Sequence, residues 1–439
     1  MSSNNKLSTE SYKGVRDFYP EDMAILNHIF SIWKKSAESY GYQEYNASIL
    51  EPTELYHAKS GEEIINEQTY TFTDRGDRSV TLRPEMTPTV ARMVAARRRD
   101  LSMPVRWYSI PNVFRYEKPQ RGRLREHFQL NCDIFGIASL DADVEMIALA
   151  SSIMRNFGAK DEDFEIRISS RQLLKKAFAD AGLSDEQSLK MQKLLDKKDK
   201  VAEGAFVEEA EKILGRKMGD KEIFIDIVTA GTEVEKAIDA LGARGVNNVR
   251  FDSSIVRGFD YYTGIVFEVY DTHKDNRRAL FGGGRYDGLT SLFEGQSGDA
   301  GPLPAVGFGM GDVTIRDFLE THSLLPLYKN PAHIYLAIAL TENEADNDSI
   351  KAYAETVALA LRNHNVNTAV DYSGKKIGDQ IKKAAKDDVK YVTVIGADEA
   401  SSGILKTKNL LTGEETIVDR AGELALFLRT GMKLPKENQ

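Results

Sequence analysis

The stretch from 105 to 135 constrains the fold more than any other. Residues 105–116 and 124–135 are two strand-forming runs joined by a polar turn containing glycine and arginine. Two such runs across a short polar connection pair as a long antiparallel hairpin. From 114 to 136 the chain reads FRYEKPQRGRLREHFQLNCDIFG. Arg115 begins the turn region, and Arg121, Arg123 and Arg125 line its far side. Arginine suits bidentate contact with phosphate, so this density points to a phosphate ligand. An exposed hairpin laced with surface ion pairs is the alternative. On the returning strand Gln129 and Asp133 stand four apart and face one way. An amide and a carboxylate so placed could hold a ligand's amine or imidazole.

The flanking segments organise around this hairpin. Apolar residues Ile25, Ile29, Ile32, Trp33 and Ala37 recur at helical spacing within 21–40, and Gly41 stops that helix. Strand-like runs follow at 43–51, 69–74 and 80–83. Thr87 and Pro88 open a helix to about Arg99, and 141–158 is a further amphipathic helix. From about 184 to 244 Lys, Asp, Glu, Ala and Leu dominate, with strand character only at 222–228, which reads as a small helical insertion. Strand patterns return at 249–251 and 261–270. Pro326 and Pro331 mark a linker near 321–331. Beyond it, strands at IYLAIAL, TAVDY, YVTVIG, 404–410 and 414–418 alternate with helices at 348–364, 376–386 and 420–430. That alternation predicts a separate α/β domain with a mostly parallel sheet.

Composition excludes several classes. The net charge of −9 argues against a protein that coats nucleic acid non-specifically. It leaves room for local basic patches at Arg97–Arg99, Arg121–Arg125 and Lys382–Lys383, each of which taken alone reads as a solvated face. The single cysteine, Cys132, forms no internal disulfide and belongs to no cluster with zinc spacing. A reducing cytoplasm is the expected setting. The polar start MSSNNKLSTE lacks an apolar core of the secretory kind, and no apolar run approaches the ~20 residues that cross a bilayer. Phosphate loops of the G-x-x-x-x-G-K-[ST] kind, the dinucleotide fingerprint, H-E-x-x-H and the nucleophile elbow are all missing.

Three further segments carry chemistry-bearing residues. In LRPEMTP, 82–88, Glu85 and Thr87 sit where a strand gives way to a helix, and an N-cap alone would explain the threonine. In SIVRGFDYYTGIVFEVY, 254–270, Arg257 precedes Tyr261 and Tyr262 at the start of a strand. Adjacent strand residues face opposite sides, so only one tyrosine need enter a pocket, and aromatic packing alone would explain the pair. In FGGGRYDGL, 281–289, three glycines let a backbone approach a ligand closely, while a plain turn is the commoner reason for such a run.

Taken in this order, the segments resemble the histidyl-tRNA synthetase family of class II aminoacyl-tRNA synthetases. LRPEMTP is similar to the family's histidine-binding segment, and the hairpin to class II motif 2. VRGFDYYTG and GGGRYDGL resemble two segments distinctive of the histidine enzymes. AVGFGMGD resembles the start of motif 3, and YVTVIGADEASSGILKTKNLLTGEE the end of an anticodon-binding domain. The resemblance implies an α+β catalytic domain with an antiparallel class II sheet over 1–170 and 245–325. It also implies a helical insertion at 171–244 and an anticodon-binding α/β domain at 331–430.

The implied roles are specific. Glu85, Thr87 and Gln129 would hold histidine's α-amino group, and Asp133 and Tyr262 would bracket the imidazole nitrogens beside Tyr261. Arg115 and Arg257 would face the α-phosphate and carboxylate from two sides. Glu117, Arg123 and Gly284 would contact ATP, with Mg2+ on its β- and γ-phosphates. The implied partners are tRNA(His), L-histidine, ATP and a second copy in a homodimer, with no membrane. The sequence departs from the family at four places. Thr314 stands at the usual motif 3 arginine, with Arg316 the nearest cation. Ser48 stands at the motif 1 proline, Met86 at a glycine, and Asp133 at a position where glutamate is common. Relatives of the same fold that sense histidine as regulatory subunits are the rival reading. They lack the anticodon domain and degrade the VRGFDYYTG segment, and this chain has both.

Overall fold

The computed structural model describes residues 7–57, 68–180, 182–195, 201–217, 232–255, 261–276, 278–295, 298–299 and 301–430. The chain divides into two compact units, Met1–Pro326 and Leu327–Gln439.

The first unit is built on one large sheet. From edge to edge its strands run Gln43–Glu44, Val105–Ser109, Glu126–Phe135, Ala305–Gly311, Ala279–Arg285, Ile265–Asp271, Phe164–Ser170 and Val249–Phe251. The six central strands are mutually antiparallel, and only the two edge strands pair parallel. The hairpin is present with one departure. Its outgoing strand breaks at Ile110–Pro111 into Val105–Ser109 and Asn112–Phe114, because proline has no N–H for the ladder. The register survives the break: Ser109 pairs with Asn131 and Asn112 with Phe128. The Pro111 carbonyl accepts from the Gln129 N–H at 2.9 Å.

Side chains alternate across these strands and separate two faces. Leu130, Cys132 and Ile134 face the main core with Val306, Phe308, Met310, Phe281 and Phe267. Helices Pro20–Ser39, Asp141–Asn156, Glu233–Ala243 and Asp312–Thr321 cover that face with residues such as Trp33, Ile147, Leu241 and Phe318. One buried charge pair crosses this layer. Arg285 binds Asp143 through two guanidinium nitrogens and also donates to the carbonyls of Ile137 and Ser139.

The stretch read as an insertion does not behave as a single body. Helices Arg171–Asp180, Asp185–Leu195 and Glu203–Leu214 share a small core of Leu174, Phe178, Met191, Leu195 and Phe206. Helix Glu233–Ala243 instead buries Val234, Ala237 and Leu241 in the main core. The strand expected at 222–228 lies outside the described residues.

The second unit has a five-stranded sheet ordered Thr368–Val370, Ile334–Ile338, Tyr391–Ile395, Leu405–Asn409, Glu415–Val418. The expectation of a mostly parallel sheet needs correction: two of its four pairings are parallel and two antiparallel. Only Ile334–Ile338 and Thr368–Val370 are followed by crossover helices, Glu344–Asn363 and Ile377–Lys386, that return the chain parallel. The last two strands form a hairpin through Leu410–Glu414, which returns the chain antiparallel.

The Arg285–Asp143 pair yields a prediction. Removing one partner strands a buried charge, which costs about 3–5 kcal/mol. Asp143→Ala is expected to lower the melting temperature of the first unit sharply, whereas Asp141→Ala on the same helix, at a more exposed position, leaves it nearly unchanged. Calorimetry of the two variants checks this.

Candidate active site

The face of the sheet opposite the main core carries the site. Its middle is bare. One row across the strands reads Trp107, Asp133, Gly307, Gly284, Val266, and the next reads Ser109, Asn131, Gly309, Gly282, Glu268. Four glycines on two neighbouring strands therefore expose backbone where side chains would stand. At three of them the requirement is steric: a Cβ on Gly284 would meet the Ile265 carbonyl oxygen at 2.7 Å. A Cβ on Gly307 would collide with the Asp133 carboxylate, and one on Gly309 with the Gln129 amide. The glycines of FGGGRYDGL and AVGFGMGD thus floor the site and give Asp133 and Gln129 space to lie over it.

Polar groups border this floor. Asp133 is only 3% exposed and accepts a hydrogen bond from the Tyr286 hydroxyl. Burial raises its pKa to about 7, against the lowering pull of that hydrogen bond. The buried Oε1 of Gln129 has no hydrogen-bond partner among the described residues. An unmet buried acceptor costs about 1–3 kcal/mol, so Gln129 presents an acceptor that a donor ligand would satisfy. Glu85 is buried and accepts from the Tyr261 hydroxyl at 3.1 Å.

Thr87 opens helix Thr87–Ala96 as its first residue and not as its cap. Met86 holds the cap position without a side-chain hydrogen bond, and Thr87 instead lies at the Tyr261 hydroxyl. Tyr261 and Tyr262 also differ from expectation. The strand starts only at Ile265, so both tyrosines precede it, and both are buried with ring centroids 4.9 Å apart. Gly284 lies on the floor against Tyr262 and Val266. Arg257 lies outside the described residues.

The hairpin arginines divide into two kinds. Arg115 is half-buried and is held by one hydrogen bond, Nε to the Pro84 carbonyl at 2.8 Å. Its two terminal nitrogens have no partner among the described residues. Arg123 lies exposed 3.5 Å from Glu117, and Arg121 pairs with Asp317 at 2.9 Å. Arg125 is instead spent on packing. It is 8% exposed, stacks over Tyr116 at 3.9 Å, and its Nη1 donates to the Tyr12 hydroxyl. Its backbone N–H donates to the Gly14 carbonyl at 2.7 Å. Of the other basic patches, Arg98 donates to the Gly301 carbonyl, Arg97 lies 3.8 Å from Asp100, and Lys383 pairs with Asp387.

Helix Asp312–Thr321 offers no cation where the resemblance places an arginine. The Thr314 hydroxyl donates to the Leu280 carbonyl at 2.7 Å, and Arg316 turns away to Asp22. Asp312, at the start of that helix, binds Arg16 and the Phe128 N–H. Sequence reasoning passed over His127, Tyr286 and this Arg16 clamp. His127 precedes Gln129 on the returning strand by two, so its position on the site face was readable. Burial, and then the charges of Arg115 and Arg16, push its pKa down to about 3, so it is a neutral imidazole. Tyr286 stood in a quoted motif, but its partner is 153 residues away. Among the described residues no group of three or more His, Cys, Asp or Glu is arranged to hold a metal, and no helix is long and apolar enough to cross a membrane.

Comparison with known proteins decides the family. The Histidyl-tRNA synthetase family profile matches residues 14–312, and an Anticodon binding domain profile matches 336–427. The chain belongs to the histidyl-tRNA synthetase family. The histidine–tRNA ligase of Leptospira biflexa is 39% identical over 422 residues, spanning 92% of this chain and 94% of that one. The histidine–tRNA ligase of Thermoplasma volcanium is 37% identical over 440 residues, spanning 96% and 99%. In fold, the crystal structure of histidyl-tRNA synthetase from Nostoc sp. PCC 7120 matches with a TM-score of 0.77 at 23% identity, covering 97% of this chain and all of the other.

The raised pKa of Asp133 fixes the sign of a pH effect. Between roughly pH 4, where an unfolded aspartate titrates, and about 7, the folded protein holds a proton that the unfolded chain has released. Stability from this group is therefore present at low pH and is lost as pH rises through 7. Asp133→Asn removes the dependence. Its melting temperature relative to the unmodified ligand-free protein is expected to increase from pH 5 to about pH 7 and to level off above that, which a series of thermal melts measures.

Proposed function

We propose that the chain is a histidine–tRNA ligase. It activates L-histidine with ATP to histidyl-adenylate, releasing pyrophosphate, and then transfers histidine to the 3′ end of tRNA(His). The observation that carries this reading is the bare glycine floor bordered by Glu85, Gln129, Asp133 and the free end of Arg115. Two carboxylates and an unpartnered amide oxygen on one edge suit a ligand with an ammonium group and a nitrogen heterocycle.

In this reading Glu85, Thr87 and Gln129 take the α-amino group. Asp133 and Tyr262 take the imidazole nitrogens, and Tyr261 orients Glu85. An analogue without a ring N–H would leave buried Asp133 unpaired, which is how a site rejects a near-isostere. Attack of the substrate carboxylate on the α-phosphorus builds negative charge. Arg115 meets that charge with terminal nitrogens that no described residue engages, and Arg257 faces it from the other side. Donors fixed in advance stabilise the transition state without reorganising. Glu117, Arg123 and the exposed backbone at Gly284 receive ATP. Mg2+ would be carried on the nucleotide's β- and γ-phosphates. The second unit receives the anticodon, and the working form is a cytoplasmic homodimer.

Histidine-dependent ATP–pyrophosphate exchange tests this. Histidine alone among the amino acids is expected to drive exchange. Arg115→Ala and Arg257→Ala are each expected to lower its kcat by at least about a hundredfold while the melting temperature holds. Thr314 and the diversion of Arg316 to Asp22 favour one rival, a histidine-sensing regulatory protein. Histidine binding without any exchange would establish that rival instead.

A further inference from the structure

Asp133 is held from one side only. Its single hydrogen bond among the described residues comes from the Tyr286 hydroxyl to Oδ1. Oδ2 accepts none. Tyr286 itself has little freedom. Its backbone N–H donates to the Ala305 carbonyl at 2.8 Å, and its ring stands edge-on to Phe135 at 6.0 Å and to Tyr261 at 5.8 Å. It is 1% exposed. Tyr261 in turn donates to Glu85. The two ring-packed tyrosines therefore tie together two carboxylates that border the floor, Glu85 and Asp133.

This arrangement fixes more than a location. Asp133 is short, and Oδ1 sits over Gly307, where a Cβ would displace it. With Oδ1 tethered and the residue buried, the carboxylate plane is set and one oxygen faces the ligand space. A hydrogen bond to the charged form also favours that form against burial. Once ionised, the oriented carboxylate only accepts, and so selects a ligand ring carrying an N–H donor.

We propose that Tyr286 is the positioning residue for histidine selectivity, fixing Oδ1 of Asp133 so that Oδ2 is presented to the substrate's imidazole N–H. The proposal rests on the reading of Asp133 as the imidazole's partner. Tyr286 acts through Asp133 and touches neither ATP nor the reacting carboxylate.

The test is a double-mutant cycle in ATP–pyrophosphate exchange, with Tyr286→Phe, Asp133→Asn and the double variant. Phenylalanine keeps the ring packing against Phe135 and Tyr261, and thermal melts confirm folding. Tyr286→Phe is expected to raise KM for histidine roughly tenfold or more, the scale of a hydrogen bond to a charged group, with kcat and KM for ATP within about twofold. In the Asp133→Asn background the same change is expected to alter KM for histidine by less than about twofold, because its target is gone. An unchanged KM in Tyr286→Phe overturns the proposal alone. So does an equal rise in both backgrounds, which assigns the tyrosine to packing. An Asp133→Asn variant with normal KM for histidine overturns the reading of Asp133 and the proposal together.

Discussion

The site depends on two adjacent strands that carry glycine at every second position on one face while burying large side chains on the other. Ala305–Gly311 buries Val306, Phe308 and Met310 in the main core and leaves Gly307 and Gly309 facing the ligand space. Ala279–Arg285 does the same with Phe281 against Gly282 and Gly284. A sheet with period-two alternation can be a tightly packed core on one side and an uncovered backbone floor on the other. The floor is rigid because its reverse side is core. Glycine in a strand weakens it, and here the flanking antiparallel strands and the Arg285–Asp143 pair supply the compensating order.

That floor sorts the charged residues by how they are held. Arg125 and Arg285 are buried and saturated by carbonyls, carboxylates and rings, and so fix the frame. Arg115 is anchored by one bond and keeps two nitrogens for a ligand. Arg121 and Arg123 are exposed on the hairpin turn against Asp317 and Glu117, in pairs worth little in water. Their carboxylate partners can be exchanged for phosphate at small cost. The same gradation runs through the acidic groups, from Asp143, fully committed to Arg285, to Asp133, with one oxygen tied and the other open.

The hairpin and the shared face of Gln129 and Asp133 were legible in the sequence because strand period and turn composition are local. So were the two-part organisation and most helices. What escaped depends on distant partners. Arg125 read like its neighbours Arg121 and Arg123, yet Tyr12 and Gly14 claim it. Tyr261 and Tyr262 looked like alternating strand residues, but the strand begins three residues later. Helix Glu233–Ala243 has the composition of the preceding helices and yet packs in the main core. Tyr286 appeared as one letter of a glycine motif, and only the pairing of Gly307 with both Asp133 and Gly284 brings its neighbourhood to the carboxylate. The second sheet departed from a parallel expectation because the short helix Ala397–Ser402 returns the chain antiparallel beside Tyr391–Ile395, and a hairpin to Glu415–Val418 follows before the last helix, Ala421–Thr430.

The central claim is that the glycine floor receives histidine with its ring at Asp133 and its amino group at Glu85 and Gln129. A crystal structure of the protein soaked with L-histidine tests it most directly. The account predicts an imidazole nitrogen within hydrogen-bond distance of Asp133 Oδ2, with the ammonium nitrogen between the Glu85 carboxylate and Gln129 Oε1. Histidine bound with its ring away from Asp133, or bound off the Gly282–Gly284 and Gly307–Gly309 floor altogether, would contradict it.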